Sequence, residues 1–341
     1  MISMPGRSIR QKILLLSLLY VMAVSLCLSG CSLPLSGRFS QATLPESVRA
    51  KKAFIPDAGL LQALSAHLET APEQITRGQI ASLGPQLFLQ GREISDLTGL
   101  EDALGVTRLH LHGNKISDLS PLSGLSQIEL INLDDNQVSD LKPLAGLNRL
   151  DYLLLDNNQV QDVSPLVSLS QLRTLTLDNN RVSDLSPLTG LMQLRELQLA
   201  DNQITEIGQL AGLTRLENLN LAGNRIDDLT ALSGMKDLAW LILSENQIRD
   251  VSVLADKTDL WYLTLGHNKV TQIDSLSGLT RLESLDLGYN QIQDLRPLQP
   301  LNMLDTLVLS GNPLDLGQPE QQTVLQNFRN KGASVYVDGE G

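Results

Sequence analysis

The stretch that decides the fold is LRTLTLDNNRVSDLSPLTGLMQ, residues 172–193, one copy of a frame that repeats every 22 residues. Each copy has an apolar residue eight, five and three positions before an asparagine, and Ile, Val or Leu two positions after it. The residues five and three before the asparagine alternate with mostly polar ones, which is typical of a strand with one buried face. The asparagines are Asn114, Asn136, Asn158, Asn180, Asn202, Asn224, Asn246, Asn268, Asn290 and Asn312.

The copies are expected to stack, because one copy is too small to bury its own leucines. A return after 22 residues lays each strand beside the previous one, in parallel, and the stack then encloses a continuous core. Each asparagine amide carries two N–H donors and an acceptor, so it can satisfy buried backbone groups on both sides of the turn. The asparagines are therefore predicted to form a structural ladder inside the coil.

The return segment has a pattern of its own. An acid stands four positions after most of the asparagines, and a proline often follows three positions later, as in Asp184 and Pro187. Proline fits the first position of a helix, and an acid or serine before it favours the helix N-terminus. We therefore expect short, mostly 3₁₀ turns on the convex side.

The frame resembles the leucine-rich repeat, L-x-x-L-x-L-x-x-N-x-L. The resemblance implies an α/β solenoid, a right-handed horseshoe with a parallel concave β-sheet, a mostly 3₁₀ or irregular convex side and a helical N-terminal cap. The repeats, with Asn-x-Ile/Val-x-Asp-Leu-Ser-Pro-Leu-x-Gly-Leu, follow Phe-Ile-Pro-Asp-Ala at residues 54–58, and together they resemble the internalins over about residues 53–320. Internalins are bacterial surface proteins, and the resemblance implies recognition of a partner through the concave face.

The chain departs from the internalins in two expected features. It has no room for the immunoglobulin-like domain that commonly follows the repeats, and it lacks a C-terminal wall-anchoring sequence. These departures argue against a role in invasion but do not affect the predicted repeat fold. The repeat length also resembles eukaryotic phosphatase-regulating repeat proteins, a more distant alternative for the function.

The first thirty residues have the pattern of a secretion signal. Arg7, Arg10 and Lys12 precede an apolar run over residues 13–28, which is short for an uncleaved membrane span. The run ends in Leu-Ser-Gly-Cys at residues 28–31, which resembles the bacterial lipobox. That resemblance implies cleavage before Cys31, lipid on its thiol and a place in the cell envelope.

Charge and cysteine content narrow the class of protein. The formal net charge is −12, and loss of the three basic residues of the leader makes the mature chain −15. This charge argues against nucleic-acid binding, which needs a basic surface. Cys27 leaves with the leader and Cys31 takes lipid, so no disulfide forms within the mature chain. Ser32 directly follows the cysteine, and a residue of this kind there resembles the signal that sorts Gram-negative lipoproteins to the outer membrane.

The chain divides into five predicted segments. Residues 1–30 are the lipoprotein signal peptide and residues 31–52 a flexible tether with mixed charges and no periodicity. Residues 53–84 form a helical N-terminal cap, because a solenoid exposes its core at each end unless it is covered. Residues 85–312 hold about eleven repeats, the first of them degenerate, with Arg92 in place of asparagine. Residues 313–341 form the C-terminal cap.

The positions six, four and two before each asparagine point outward from the sheet, onto the concave face. One group of large side chains is concentrated there on neighbouring repeats, and exposed aromatics beside an aliphatic residue are typical of a binding hot spot. An alternative is that these rings cover the sheet or each other. The group consists of Trp240, Ile242, Trp261, Tyr262 and Thr264.

A second group combines apolar side chains with a row of acids. Leu130, Tyr152 and Leu154 lie on neighbouring repeats, and three acids follow one another two positions before the asparagine. Stacked acids repel one another, so a basic partner surface or Ca²⁺ would relieve them; a solvated acidic row is the simplest alternative. The acids are Asp134, Asp156 and Asp178.

No metal site is assigned. His110 and His112 share one strand face with Asp134 on the next repeat, and two His with one Asp can ligate Zn²⁺. A His-x-His pair on an exposed strand also arises by chance, so spacing alone does not define such a site. Lys257 replaces a leucine of the frame, and either its stem reaches out of the core or this repeat is locally loosened.

The sequence contains no phosphate-binding loop, nucleophile elbow or metal-binding helix, so we predict neither an enzyme nor a cofactor. The predicted function is binding of a protein partner by an outer-membrane lipoprotein. Two roles stay open, a surface adhesin and a periplasm-facing scaffold for envelope proteins. A glycan is the other class of ligand, because the aromatic rings could serve as stacking platforms.

Overall fold

The computed structural model describes residues 44–338. The predicted signal peptide, Cys31 and most of the tether lie outside these residues. The described part begins with three helices: α1 (Glu46–Arg49), α2 (Ala58–Leu68) and α3 (Arg77–Ala81). Asp57 starts α2, because its carboxylate accepts a hydrogen bond from Leu60 N at 2.9 Å. Within residues 44–338, no helix has the length and apolar character needed to cross a membrane.

One parallel sheet of twelve strands follows, with the strands in chain order. Neighbouring strands of the repeats pair in register 22 residues apart, as Leu175 does with Leu197, so equivalent side chains stack in columns. This confirms the predicted solenoid and its parallel sheet. The strands are β1 (Gln86–Phe88), β2 (Arg108–His110), β3 (Leu130–Asn132), β4 (Tyr152–Leu154), β5 (Thr174–Thr176), β6 (Glu196–Gln198), β7 (Asn218–Asn220), β8 (Trp240–Ile242), β9 (Tyr262–Thr264), β10 (Ser284–Asp286), β11 (Thr306–Val308) and β12 (Ser334–Tyr336).

Short 3₁₀ turns form the convex side, as the prolines and acids predicted. Asp162 Oδ1 accepts a hydrogen bond from Ser164 N at 2.8 Å and so satisfies the first free N–H of its turn. The hydrogen bonds from Ser164 hold the pKa of Asp162 below its usual value. In the repeats these turns span Leu100–Asp102, Ser120–Leu122, Lys142–Leu144, Ser164–Ser168, Ser186–Leu188, Gly208–Gly212, Thr230–Gly234, Ser252–Asp256, Asp274–Gly278 and Arg296–Leu298. A further 3₁₀ turn, Pro72–Gln74, lies between α2 and α3.

The asparagines join each repeat to the one before it. Asn180 Nδ2 donates to Leu155 O at 2.9 Å and to Leu177 O at 3.1 Å. Its Oδ1 accepts from Val160 N at 2.9 Å. The same arrangement recurs from Asn114 to Asn312, so buried backbone groups of two repeats are satisfied by one side chain.

The residue just before the asparagine, or before Arg92 in the first repeat, adopts a left-handed conformation that the sequence patterns did not predict. This position has positive φ in all eleven repeats, and in eight of them it is Gly, Asn or Asp, the residues that tolerate it best. The composition of this column could have revealed the turn. Its members are Gly91, Gly113, Asp135, Asn157, Asn179, Asp201, Gly223, Glu245, His267, Tyr289 and Gly311.

Lys257 is fully buried, and its stem occupies the place of the leucine in other repeats. Its ammonium contacts the carboxylate of Asp256 and donates to Ser233 O at 3.4 Å. Asp256 is itself half exposed, so the charged end of the lysine reaches the rim of the core. Neither alternative describes this repeat, because the lysine side chain stays inside the core and the backbone keeps its hydrogen bond from Lys257 N to Leu254 O.

A helix covers the last repeat. α4 (Pro319–Asn330) buries Val324, Leu325 and Phe328 against the core. Gln321 is also buried, and its side-chain oxygen accepts a hydrogen bond from Leu295 N at 3.0 Å. β12 then pairs with β11 and extends the sheet by one strand.

Candidate binding surface on the concave sheet

Strand alternation separates the core from the concave face in every repeat. In β8, Leu241 is fully buried, while Trp240 and Ile242 on either side of it are half-buried and face outward. The strand pairs in register with β7 and β9, so these side chains lie in continuous columns across the sheet. Each column of the concave face therefore consists of the residues at one position of the repeat.

Trp240, Ile242 and Tyr262 form what we call the aromatic cluster. The rings of Trp240 and Tyr262 stack with centroids 5.6 Å apart and planes 23° apart, because the two residues are direct register partners. Tyr262 is only 5% exposed, so the expectation of an exposed ring is wrong for this residue. Burial, and secondarily the charge of Asp286, raises the pKa of Tyr262 to about 12. Trp240 and Ile242 are thus the outward-facing members of the cluster.

Thr264 lies beside the cluster in β9 and is also buried. Its hydroxyl is one of the few buried side-chain oxygens in the described residues with no hydrogen-bond partner. The crowding has a simple cause, because strands lie roughly 4.8 Å apart and side chains converge on the inner side of a curved sheet. A residue with large neighbours in its column is covered by them.

Trp261 does not belong to the concave face. It lies one residue before β9, seven positions before Asn268, and so points to the flank of the solenoid. It is 37% exposed, and its ring meets that of Tyr262 at 60° with centroids 5.8 Å apart. The sequence predicted one surface for both tryptophans, whereas in the structure only Trp240 lies in a strand of the concave sheet.

The second apolar group is also less exposed than expected. Leu130 is 1% exposed, since its register partners in the neighbouring strands are the larger Arg108 and Tyr152. Tyr152 and Leu154 are half-buried. An apolar contact for a partner therefore remains at these two residues and not at Leu130.

Asp134, Asp156 and Asp178, the acid column, each accept a hydrogen bond from the backbone of the next repeat. Asp134 Oδ1 accepts from Asp156 N, and Asp156 Oδ1 accepts from Asp178 N, both at 2.8 Å. Asp178 Oδ1 accepts from Ala200 N at 2.6 Å, and Asn220 Nδ2 donates to its second oxygen at 3.1 Å. These acids therefore have a structural role, which the simple picture of a solvated row did not include.

Burial raises the pKa of each acid in the column. The pKa of Asp134 rises to about 7 and that of Asp178 to about 7, with the charge of Asp156 as a further cause for both. The pKa of Asp156 rises to about 6, because hydrogen bonds from Asp178 N and Thr176 partly offset its burial. The column therefore titrates near neutral pH.

The two histidines do not assemble with Asp134 into a metal centre. His110 stacks on Phe88, with ring centroids 4.7 Å apart. Burial lowers the pKa of both His110 and His112, and the Nδ1 of His112 has no hydrogen-bond partner. Residues 44–338 contain no group of three His, Cys, Asp or Glu side chains placed to hold a metal ion.

The repeats match two leucine-rich repeat family models. One covers residues 100–210, and the other, which describes two copies of the repeat, covers residues 193–234 and 259–302. The chain belongs to the leucine-rich repeat proteins. Within that class it is internalin-like. A search among curated proteins finds no match.

Solved structures show the same likeness. The internalin inlF from Listeria monocytogenes is 28% identical, with a TM-score of 0.62, and the match covers 88% of this chain and 99% of that one. The functional domain of InlJ from the same species is 27% identical, with a TM-score of 0.73, and the match covers 86% of this chain and 63% of that one. The plant peptide hormone receptor RGFR1, at 18% identity and a TM-score of 0.54, shares the fold, over 63% of this chain and 41% of that one.

Leucine-rich repeat proteins typically act as protein-interaction modules, and the internalin-like fold is generally a non-enzymatic binding scaffold. Its sheet presents a wide open surface, and catalysis generally needs a site that excludes water.

Proposed function

We propose that this chain is a non-enzymatic binding protein that recognises a protein partner through the concave face of its repeats. The observation that carries the proposal is the aromatic cluster, in which Trp240 and Ile242 face outward on a rigid sheet. The ring of Trp240 is fixed by its neighbour, since Tyr262 stacks on it and is itself buried. Pre-ordered aromatic and aliphatic side chains lose little entropy on binding and are typical of hot spots.

The fold of a relative supports a protein or peptide as ligand. RGFR1 was solved in complex with RGF2, so a solenoid of this kind can hold a partner. The half-buried Tyr152 and Leu154 offer a second apolar contact further along the same sheet. Asp156 and Asp178 lie beside them, so the partner surface is expected to place polar or basic groups there.

We also propose that the chain is held at the bacterial envelope by lipid on Cys31. The apolar run at residues 13–28 and the Leu-Ser-Gly-Cys sequence support this location. A surface adhesin is the role that fits best with the likeness to internalins. Protease treatment of intact cells tests it, because an adhesin is cleaved there and a periplasm-facing scaffold is protected.

Capture followed by a purified binding assay tests the concave surface. The chain from Ser32 onward is used to isolate a partner from host-cell lysate and from envelope extract, and the partner is then purified. We expect Trp240→Ala to weaken its affinity by at least about tenfold, as for a typical hot spot, and Trp240→Phe to restore much of it. Equal affinity for the wild type and a folded Trp240→Ala variant would overturn the proposal.

A further inference from the structure

We propose that a groove on the flank of the solenoid, next to Trp261, is a second docking surface, and that it takes a basic segment of a protein partner. The groove has a volume of about 510 Å³. It lies where the chain approaches strands β7 to β10, and the residues that carry the argument are Glu217, Asp237, Ala239, Asp259, Trp261 and Glu283. We call it the flank groove.

The flank groove follows from the repeat geometry. Residues seven positions before each asparagine form one column, and residues nine positions before form a second column beside it. Glu217, Ala239, Trp261 and Glu283 belong to the first column. Ala239 is the small member next to Trp261, and it leaves open space in front of the indole.

Trp261 has no structural need to be aromatic. Its position holds Thr, Glu, Asp or Arg in most other repeats, and the leucines that build the core lie elsewhere in the frame. The indole is nevertheless more than one-third exposed, and Met303, also in the groove, is 53% exposed. Both side chains line the groove, so a partner lying in it would find apolar contact area there.

The charges of the flank groove select the kind of partner. Four carboxylates line it, against one guanidinium, that of Arg281. Arg281 pairs with Asp259, and Arg195 outside the groove pairs with Glu217. Asp237 and Glu283 are exposed and have no ion pair or side-chain hydrogen bond within residues 44–338. Two negative charges therefore remain uncompensated on either side of Trp261.

A lysine or arginine side chain satisfies both features at once. Its cationic end can lie over the indole face of Trp261, which attracts cations through the ring quadrupole. Its methylene stem packs on apolar surface such as Met303, while its charge faces Asp237 or Glu283. The flank groove adjoins the aromatic cluster, since the ring centroids of Trp261 and Tyr262 are 5.8 Å apart. Its occupant is nevertheless a different one, a basic side chain at Trp261.

A fluorescein-labelled, end-blocked triarginine peptide tests the flank groove, with triglutamate as the control peptide. Binding to the chain from Ser32 onward is followed by fluorescence anisotropy at low ionic strength. We expect saturable binding of triarginine and none of triglutamate. Trp261→Ala should weaken triarginine binding by about fivefold, corresponding to a cation–π contact of about 1 kcal/mol. Trp261→Phe should weaken it less, because the ring is retained.

Charge variants separate a built site from general attraction to an acidic protein. The double variant Asp237→Asn, Glu283→Gln should weaken binding by at least about threefold. The matched control is Glu206→Gln, Asp227→Asn, which removes the same charge from exposed acids outside the groove, and it should bind as the wild type does. Equal affinity in Trp261→Ala, or an equal loss in the control, would overturn the proposal.

Discussion

At the scale of single residues, Lys257 shows how this core accepts a charge. The lysine stem fills a leucine position, and Asp256, where other repeats often have glycine, meets the ammonium at the rim. A buried charge that loses its partner is strongly destabilising, whereas an apolar residue of similar size in its place is often neutral or better. The two unusual residues are therefore expected to depend on each other.

Asp256→Ala should lower the free energy of unfolding by about 1–2 kcal/mol, since the half-exposed aspartate gives less than a fully buried partner would. In a Lys257→Leu background the same substitution should have almost no effect. Urea unfolding of the four proteins in this double-mutant cycle measures the coupling. Equal losses in both backgrounds would mean that Asp256 acts on its own turn and not on Lys257.

The acid column predicts how stability depends on pH. The pKa of Asp156 is about 6 in the folded chain and near the ordinary 3.8 when unfolded, so the folded chain binds more protons between these values. Stability therefore falls as the pH rises through about 6. Asp156→Asn keeps an oxygen for Asp178 N and removes the charge. We expect it to raise the free energy of unfolding at about pH 8 by roughly 1–3 kcal/mol, with little change near pH 4.

Asp162→Asn is the matched control for this pH effect. Its carboxylate is exposed on the convex side, and hydrogen bonds from Ser164 lower its pKa. Its contribution to stability is therefore present above the unfolded pKa and is lost as the pH falls, the opposite sign to Asp156. Thermal unfolding across the pH range checks both variants. A gain in Asp162→Asn as large as in Asp156→Asn would show that only the reduced net charge matters.

At the scale of the element, the backbone groups of each turn are satisfied by the asparagine of the repeat that follows it. Asn180 satisfies Leu155 O and Leu177 O with its amide hydrogens and Val160 N with its oxygen. Asn180→Ala leaves Val160 N buried without its acceptor. It also takes one of two donors from each carbonyl, since Leu155 O keeps Asn158 Nδ2 and Leu177 O keeps Asn202 Nδ2. We expect it to lower the free energy of unfolding by about 1–3 kcal/mol, measured by urea unfolding.

The neighbouring residue provides the control for the ladder. Asn179 adopts positive φ, and its exposed amide donates to Asn157 Oδ1 at 2.8 Å. Asn179→Gly keeps the backbone conformation and removes only that exposed contact, so the change should stay below about 0.5 kcal/mol. If it destabilises the chain as much as Asn180→Ala, the buried hydrogen bonds are not what distinguishes the ladder.

The sequence predicted the repeat better than it predicted the surface. Strand positions and 3₁₀ turns follow from the spacing of leucine, asparagine and proline, because each of these residues has one role that recurs every 22 positions. The left-handed residue before the asparagine was missed because Glu245, His267 and Tyr289 obscure a column otherwise made of Gly, Asn and Asp. Mixed columns of this kind show their pattern only when all repeats are aligned.

At the scale of the whole molecule, the core of the last repeat is covered by a helix. Phe328 in α4 is 2% exposed and covers the core of the last repeat. Phe328→Ala should lower the free energy of unfolding by about 3–5 kcal/mol, measured by urea unfolding. Gln326→Ala on the exposed side of the same helix should cost less than about 0.5 kcal/mol. Similar effects of the two would show that α4 does not seal the solenoid.

Exposure on the concave face is likewise a property of the assembled sheet. The burial of Leu130 and Tyr262 depends on the size of their register partners one repeat away, which a single repeat does not contain. The position of Trp261 could have been read from its odd offset of seven before Asn268. The column in which each side chain lies could thus be predicted from the spacing. How deeply the side chain is buried depends on the size of its neighbours in the column, and this required the structure.

The hydrogen bonds of the asparagine ladder have a consequence for how the gene can change. Each asparagine bonds to groups of the preceding repeat that recur along the ladder, so a duplicated or deleted block of 22 residues finds the same partners on both sides. Asp178 and Trp240 belong to repeats three apart, those of Asn180 and Asn246. Each such event between them would move the two sites by roughly 4.8 Å. Recombination that adds or removes whole repeats can therefore adjust the distance between two contact points on the solenoid to the size of a new partner.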